Sequence, residues 1–221
     1  MLMRRLQACA DMITKGNIVC DVGTDHAYLA VELLKQNKCN HVIASDIGEG
    51  PLQAAEKTLV HAGLKNKATL LLCDGLQAVP QKDVTDVVIA GMGGETIVHI
   101  LSNCKWIKNN VNLILQPMTK ASVLRQWLSE NGYNILQEKV VRETKFYYTI
   151  LKAVYDGKEH NYTQLQLALG VIDWKEKISL EYGKFCLAQW EKLAEQLKQS
   201  NQILEEKYRI LISELKEKII F

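Results

Sequence analysis

The sequence has no apolar stretch approaching the ~20 residues that cross a bilayer. Its opening Met1-Leu2-Met3-Arg4-Arg5 leads into a segment broken by Asp11, without the apolar block and small-residue cleavage site of a secretory leader. A cytoplasmic protein with no membrane partner is expected. Paired cysteines are missing too: Cys9, Cys20, Cys39, Cys73, Cys104 and Cys186 stand singly, with no C-x-x-C and no histidine at ligand spacing. Neither a zinc site nor a disulfide framework is indicated, and no metal is expected. Nor is there an excess of charge of one sign, since 27 basic and 25 acidic residues leave +2. A nucleic-acid partner would have to be held by a local patch rather than by global basicity. Proline, at three copies, is absent from residues 160–221, which leaves that stretch free to be helical.

What is present is an ordinary globular composition, 48% apolar over 221 residues, enough for one sizeable domain and an appendage. Apolar periodicity predicts helices over 4–13, 26–37, 51–62, 95–103 and 120–131, and strands over 18–22, 42–46, 68–73, 84–90 and 111–116. Alternating strands and helices imply a parallel sheet covered on both faces. A further strand pair near 133–142 and 145–154 has no room for a crossover helix and is expected to be antiparallel, which points to a seven-stranded methyltransferase-type sheet. Beyond Tyr155-Asp156-Gly157, leucines and isoleucines recur at spacings of three, four and seven, predicting a helical appendage with coiled-coil character. A single helix from Lys184 to Phe221 would reach roughly 57 Å, so a fold back near Lys198-Gln199-Ser200-Asn201 is expected. The division is 1–155 and 156–221.

Chemistry concentrates at the predicted strand ends. Ile18-Val19-Cys20-Asp21-Val22-Gly23-Thr24-Asp25-His26-Ala27-Tyr28 reads as strand, glycine turn and helix start, the way an α/β protein builds a nucleotide pocket. The turn is not G-x-G-x-x-G: Asp25 stands where the second glycine would be, and Asp21 and Asp25 would repel a pyrophosphate, which argues against a nicotinamide oxidoreductase. Acids suit a ligand with a sulfonium and an α-ammonium group, as in S-adenosylmethionine. Asp46 ends the second strand, where a ribose would lie, and Asp74-Gly75 ends the third, where an acid can accept from an exocyclic adenine amine. At the fourth, Ala90-Gly91-Met92-Gly93-Gly94 removes side chains so that a ligand or base can approach the backbone, and Gln116-Pro117-Met118 ends the fifth. Asp25 either caps the following helix or faces the substrate, and His26 either contacts a cofactor carboxylate or serves the turn.

Taken together, residues 18–30, Ala44-Ser45-Asp46, Asp74-Gly75-Leu76, Ile89 to Gly94 and Leu113 to Pro117 resemble the bacterial tRNA adenine N1-methyltransferase family that modifies position 22. The resemblance spans about residues 4–153 and implies a class I methyltransferase domain using S-adenosylmethionine, followed by a helical coiled-coil domain. Cofactor contacts are then expected from Asp21, Gly23, Thr24, His26, Asp46, Asp74, Gly75, Ala90, Gly91 and Met92. Asp25 is expected to be the catalytic carboxylate, with Tyr28, Gln116 and Met118 toward the base. Arg4 and Arg5 are foremost among phosphate-binding candidates that also include Lys15, Lys120, Arg125, Lys139, Arg142 and Lys145. The alternatives are a methyltransferase for a small molecule or a protein, and a non-catalytic module that uses the coiled coil for partner binding. The choice between a monomer and a weak homodimer stays open.

Overall fold

Continuous apolar runs in the central strands supply two opposed apolar faces, and the chain closes a helical layer over each. The computed structural model describes residues 2–219. After α1 (Arg4–Met12) come β1 (Ile18–Val22), α2 (Tyr28–Lys35), β2 (His41–Asp46), α3 (Glu49–His61), β3 (Ala68–Leu72), β4 (Val84–Gly93), α4 (Gly94–Ser102), β5 (Asn112–Thr119) and α5 (Ala121–Glu130). The five strands are parallel. The sheet is completed by β6 (Tyr133–Glu143) and β7 (Phe146–Tyr155), in the order β3-β2-β1-β4-β5-β7-β6. The expected antiparallel pair is present, and β7 slots between β5 and β6, antiparallel to both. On one face Cys20, Val22, Val87, Ile89, Leu113 and Leu115 pack with α4 and α5 residues such as Ile97 and Leu128. On the other, Val19, Val42, Val88 and Ile114 meet Cys9, Leu33 and Leu59 from α1, α2 and α3.

Most boundaries shift by one to three residues, and two of the shifts bear on the site. Helix α2 begins at Tyr28 rather than at 26, because Ala27 sits in the left-handed region at φ 53° and no side chain caps the helix, so Asp25 is not a cap. Strand β4 runs on to Gly93, since a register shift between Ala90 and Met92, with Gly91 at φ 83°, lets the glycine run keep pairing with β5.

The C-terminal residues form α6 (Gln164–Leu169), opened by a reciprocal Thr163–Gln166 capping box, then α7 (Lys177–Leu197) and α8 (Gln202–Ile219). The chain folds back at 198–201, where Asn201 Oδ1 accepts from the Leu204 N–H at 3.0 Å. Early α7 meets late α8: Gly183 lies against Leu215 and Ile219, and Glu191 pairs with Lys216 at 2.8 Å. Phe221, the expected helix end, lies outside the described residues.

Arg125 corrects the sequence reading. It is completely buried, so it is not a phosphate contact. Its Nε and Nη2 donate to Glu138 at 3.0 and 2.6 Å, Nη2 also reaches Thr149 Oγ1, and Nη1 donates to the carbonyls of Leu167 and Ala168. Glu138 in turn accepts from the Val171 N–H at 2.9 Å. One ion pair thus joins α5, β6, β7 and α6. Arg125→Met should lower unfolding free energy by about 3–5 kcal/mol, the usual cost of leaving one buried charge unpaired, and chemical denaturation will measure it.

Candidate active site

A cleft of about 270 Å³ opens at the carboxyl ends of β1 and β4, lined by the 21–29 turn region together with Ala90, Gly91 and, from the N-terminal segment, Met3, Arg5 and Leu6. Its floor is set by Gly23 at φ 76°; a β-carbon there would come within 2.1 Å of Met92 Cε, so both conformation and space require glycine. The N–H groups of Gly23 and Thr24 donate to Ser45 O at 2.8 and 3.0 Å and pin the turn to β2. Thr24 Oγ1 then donates to Asp21 Oδ2 at 2.9 Å. Asp21 is buried, and the loss of hydration pushes its carboxyl up to about 6, opposed by the Thr24 hydrogen bond. No lysine, arginine or histidine ion-pairs with it among the described residues. A desolvated carboxylate without a cation is a site that attracts one.

At the mouth, His26 Nε2 lies 3.5 Å from Asp25 Oδ2, and its ring stacks on Tyr28 at 5.2 Å. Asp25 and Tyr28 are exposed there, Tyr28 to 51%. Arg5 crosses from α1: Nη1 donates to Gln116 Oε1 at 3.1 Å and Nε lies 3.2 Å from Glu143. The same Gln116 oxygen accepts from the Gly91 N–H at 3.1 Å, while its Nε2 donates to Pro117 O. Gln116 is fully buried and its amide is spent within the protein. It fixes Arg5 over Gly91 and presents nothing to a base, which departs from its expected position. Met118 is exposed beside it, its sulfur 3.5 Å from Gln116 Nε2.

The other expected residues lie along the same sheet edge but outside this cleft. Asp46 Oδ1 accepts from the Gly48 N–H at 2.8 Å, and its carbonyl accepts from Cys73 at 3.0 Å, which holds the ends of β2 and β3 together. Asp74 is exposed, and with Gly75 it lines a narrow crevice beside His99 and Asn103. Met92 covers Gly23 instead of lining the cleft. Arg4 is exposed and reaches the carbonyl of Arg142, whereas Lys120 is engaged with Glu95 at 2.6 Å. Sequence reasoning did not find Glu143 or Leu6; nothing local marks either, because both enter through pairings with distant segments. A larger space of about 410 Å³ between α7 and α8 is far from these strand ends, and its Glu191 and Glu195 are already paired with lysines.

A family model described as a methyltransferase domain matches residues 2–151. The Bacillus subtilis tRNA (adenine(22)-N(1))-methyltransferase is 32% identical over 172 residues, 77% of this chain and 72% of that one. The chain belongs to this methyltransferase family. Among solved structures of similar proteins, a Streptococcus pneumoniae protein in complex with S-adenosyl-L-methionine is 32% identical, with a TM-score of 0.83, covering 99% of this chain and 100% of that one. Mycoplasma capricolum TrmK in complex with S-adenosyl-homocysteine is 26% identical, with a TM-score of 0.83, covering 99% and 98%. The family likeness therefore extends through the C-terminal helices as well as the sheet.

Because Asp21 holds its proton to a higher pH when folded than the usual carboxylate of an unfolded chain, the fold loses stability as pH rises from about 4 through about 6. Asp21→Asn should therefore stabilise the ligand-free protein at neutral pH by up to about 3 kcal/mol. Most of the gain should vanish near pH 4, as thermal unfolding across that range will test.

Proposed function

We propose that this protein methylates N1 of adenine 22 in tRNA, using S-adenosylmethionine as the methyl donor. The observation that carries the reading is the buried carboxylate of Asp21, without a cationic partner among the described residues and two residues before a left-handed glycine, in a chain of this family. The donor set fits the cofactor: Asp21 and Thr24 suit its cationic amino-acid end, and His26 its carboxylate. The backbone of Gly23, Ala90 and Gly91 lines the cleft and admits close approach, with Met92 packed against Gly23. Asp46 suits ribose hydroxyls, and Asp74 with Gly75 an adenine amine. When bound, the cofactor supplies an electrophilic methyl group on a sulfonium.

Adenine N1 carries an in-plane lone pair and no proton at neutral pH, so the protein's task is alignment rather than proton removal. The methylated ring is cationic, and Asp25 is assigned to offset that charge and to accept from the exocyclic amine. Its exposure beside Tyr28 suits a group that meets a base arriving from solvent. Tyr28, supported by His26, and Met118 provide apolar surface for the base. Since N1 is on the pairing edge, the nucleotide must be unpaired or extruded. Arg4 and Arg5 are assigned to RNA phosphates, and Gln116 positions Arg5. Among the described residues no helix is long and apolar enough to cross a membrane, and no three metal-ligating side chains cluster. The reading puts the enzyme in the cytoplasm with its tRNA.

Transfer of labelled methyl to unmodified tRNA transcripts tests this directly. Transfer to a transcript with adenine at position 22, absent when guanine replaces it, is expected; transfer to neither, with intact cofactor binding, would sink the tRNA assignment. Asp25→Ala should reduce kcat by about 100-fold or more, in the range seen when one transition-state charge partner is removed, with cofactor affinity little changed.

A further inference from the structure

The turn between β6 and β7 carries an aromatic and basic surface that the chemistry above leaves unused. Because β7 runs antiparallel to β5, with Leu115 opposite Leu151, the β7 residues before Leu151 extend toward and past the carboxyl end of β5. The hairpin tip therefore stands at the sheet edge that holds the cleft. It is tied there by Arg5 to Glu143 and by Arg4 to the Arg142 carbonyl. At the tip a two-residue turn, Thr144 and Lys145, separates Glu143 from its partner Phe146. Phe146 is 51% exposed and, among the described residues, joins none of the apolar cores. Lys145 Nζ stands 5.4 Å from its centroid, and the Arg142 guanidinium lies 5.6 Å from that of Tyr147. Tyr147 is braced from behind by Tyr182 and Phe185 of α7, at 5.7 and 5.3 Å, with Phe185 itself 42% exposed.

We propose that this hairpin tip is a second RNA-contacting surface, stacking a substrate base near the target nucleotide on Phe146 and taking adjoining phosphates on Arg142 and Lys145. An exposed aromatic ring flanked by cations is the arrangement that binds single-stranded nucleotides with little sequence preference. The one acid of the tip, Glu143, is neutralised by Arg5, so the local charge complements a polyanion. The tip is continuous with the cleft mouth through the same arginine, so an RNA whose base enters the cleft passes within reach of it. The inference rests on the tRNA reading above, and it adds a binding surface reaching from the sheet to α7.

The test measures binding of an unmodified tRNA transcript and of S-adenosylmethionine separately, together with methyl transfer, for wild type, Phe146→Ala, Phe146→Tyr and the double variant Arg142→Ala/Lys145→Ala. Phe146→Ala should weaken tRNA binding roughly 5- to 100-fold, the loss typical of one stacked base, while Phe146→Tyr keeps it and cofactor affinity stays constant in both. The double variant should flatten the dependence of log affinity on log salt by about two. tRNA binding within twofold of wild type in Phe146→Ala, or a parallel fall in cofactor affinity, would overturn the proposal. Wild-type binding that is sensitive to these changes but unaccompanied by methyl transfer would uphold the surface and refute the activity. Wild type that binds no tRNA would refute both.

Discussion

The buried pair of Arg125 and Glu138 is the interaction around which the two parts of the molecule are joined. Two charges taken from water are costly, and such a pair is tolerable only when further hydrogen bonds occupy the remaining donors and acceptors. Here they do: a strand hydroxyl from Thr149, two carbonyls at the end of α6 and the Val171 amide complete the set. The close fit extends to Gly170, where a β-carbon would meet the Glu138 carboxylate at 2.6 Å. The path of the chain from the sheet into the C-terminal helices is thus specified by polar geometry as well as by apolar contact. The direction of approach is what the ion pair adds, because burial alone is non-directional.

At the other end of the sheet the same economy of charge runs in reverse. Asp21 is taken out of water with one hydroxyl for company, and the cost shows as a carboxyl pushed up to about 6. An apolar residue there would make a more comfortable strand end. The ligand proposed for the cleft, with a positive charge of its own, would offset what the protein leaves uncompensated. Gln116 marks the middle case: fully buried, fully satisfied, and spent on holding an arginine over the glycine that opens the fourth strand end.

Much of this was legible in the residues. Continuous apolar runs in β1, β4 and β5 announced strands with two buried faces, and the absence of space between residues 142 and 145 announced a hairpin. The acids near the ends of β1, β2 and β3 read as a cofactor edge, of which the structure places Asp21 in the cleft and Asp46 and Asp74 outside it, and the leucine spacing beyond residue 160 announced helices that turn back near Ser200. The misses have a common cause. Arg125 reads as a surface cation and Gln116 as a substrate contact until the partners that bury them are brought in from residues 138 and 5. Ala27 gives no local sign of its left-handed backbone, which moves the helix start past Asp25 and frees that side chain. Short-range pattern decides secondary structure; the state of a polar side chain is settled by what arrives from far along the chain.

The place of β7 has a consequence for the order in which the molecule can be assembled. Strand β6 is made first yet has no partner until β7 folds back into the gap beside β5. The same late strand pair delivers Glu143 and the Arg142 carbonyl to Arg5 and Arg4, 138 residues apart in each case by count from 143 to 5 and from 142 to 4. On a ribosome, α1 would therefore wait through the synthesis of almost the whole sheet before its arginines are locked. The hairpin adds the last hold on the N-terminal wall of the cleft, so a nascent chain halted before it would carry the glycine turn, the acids and the Gln116 bond to Arg5 without the Glu143 contact that completes the grip.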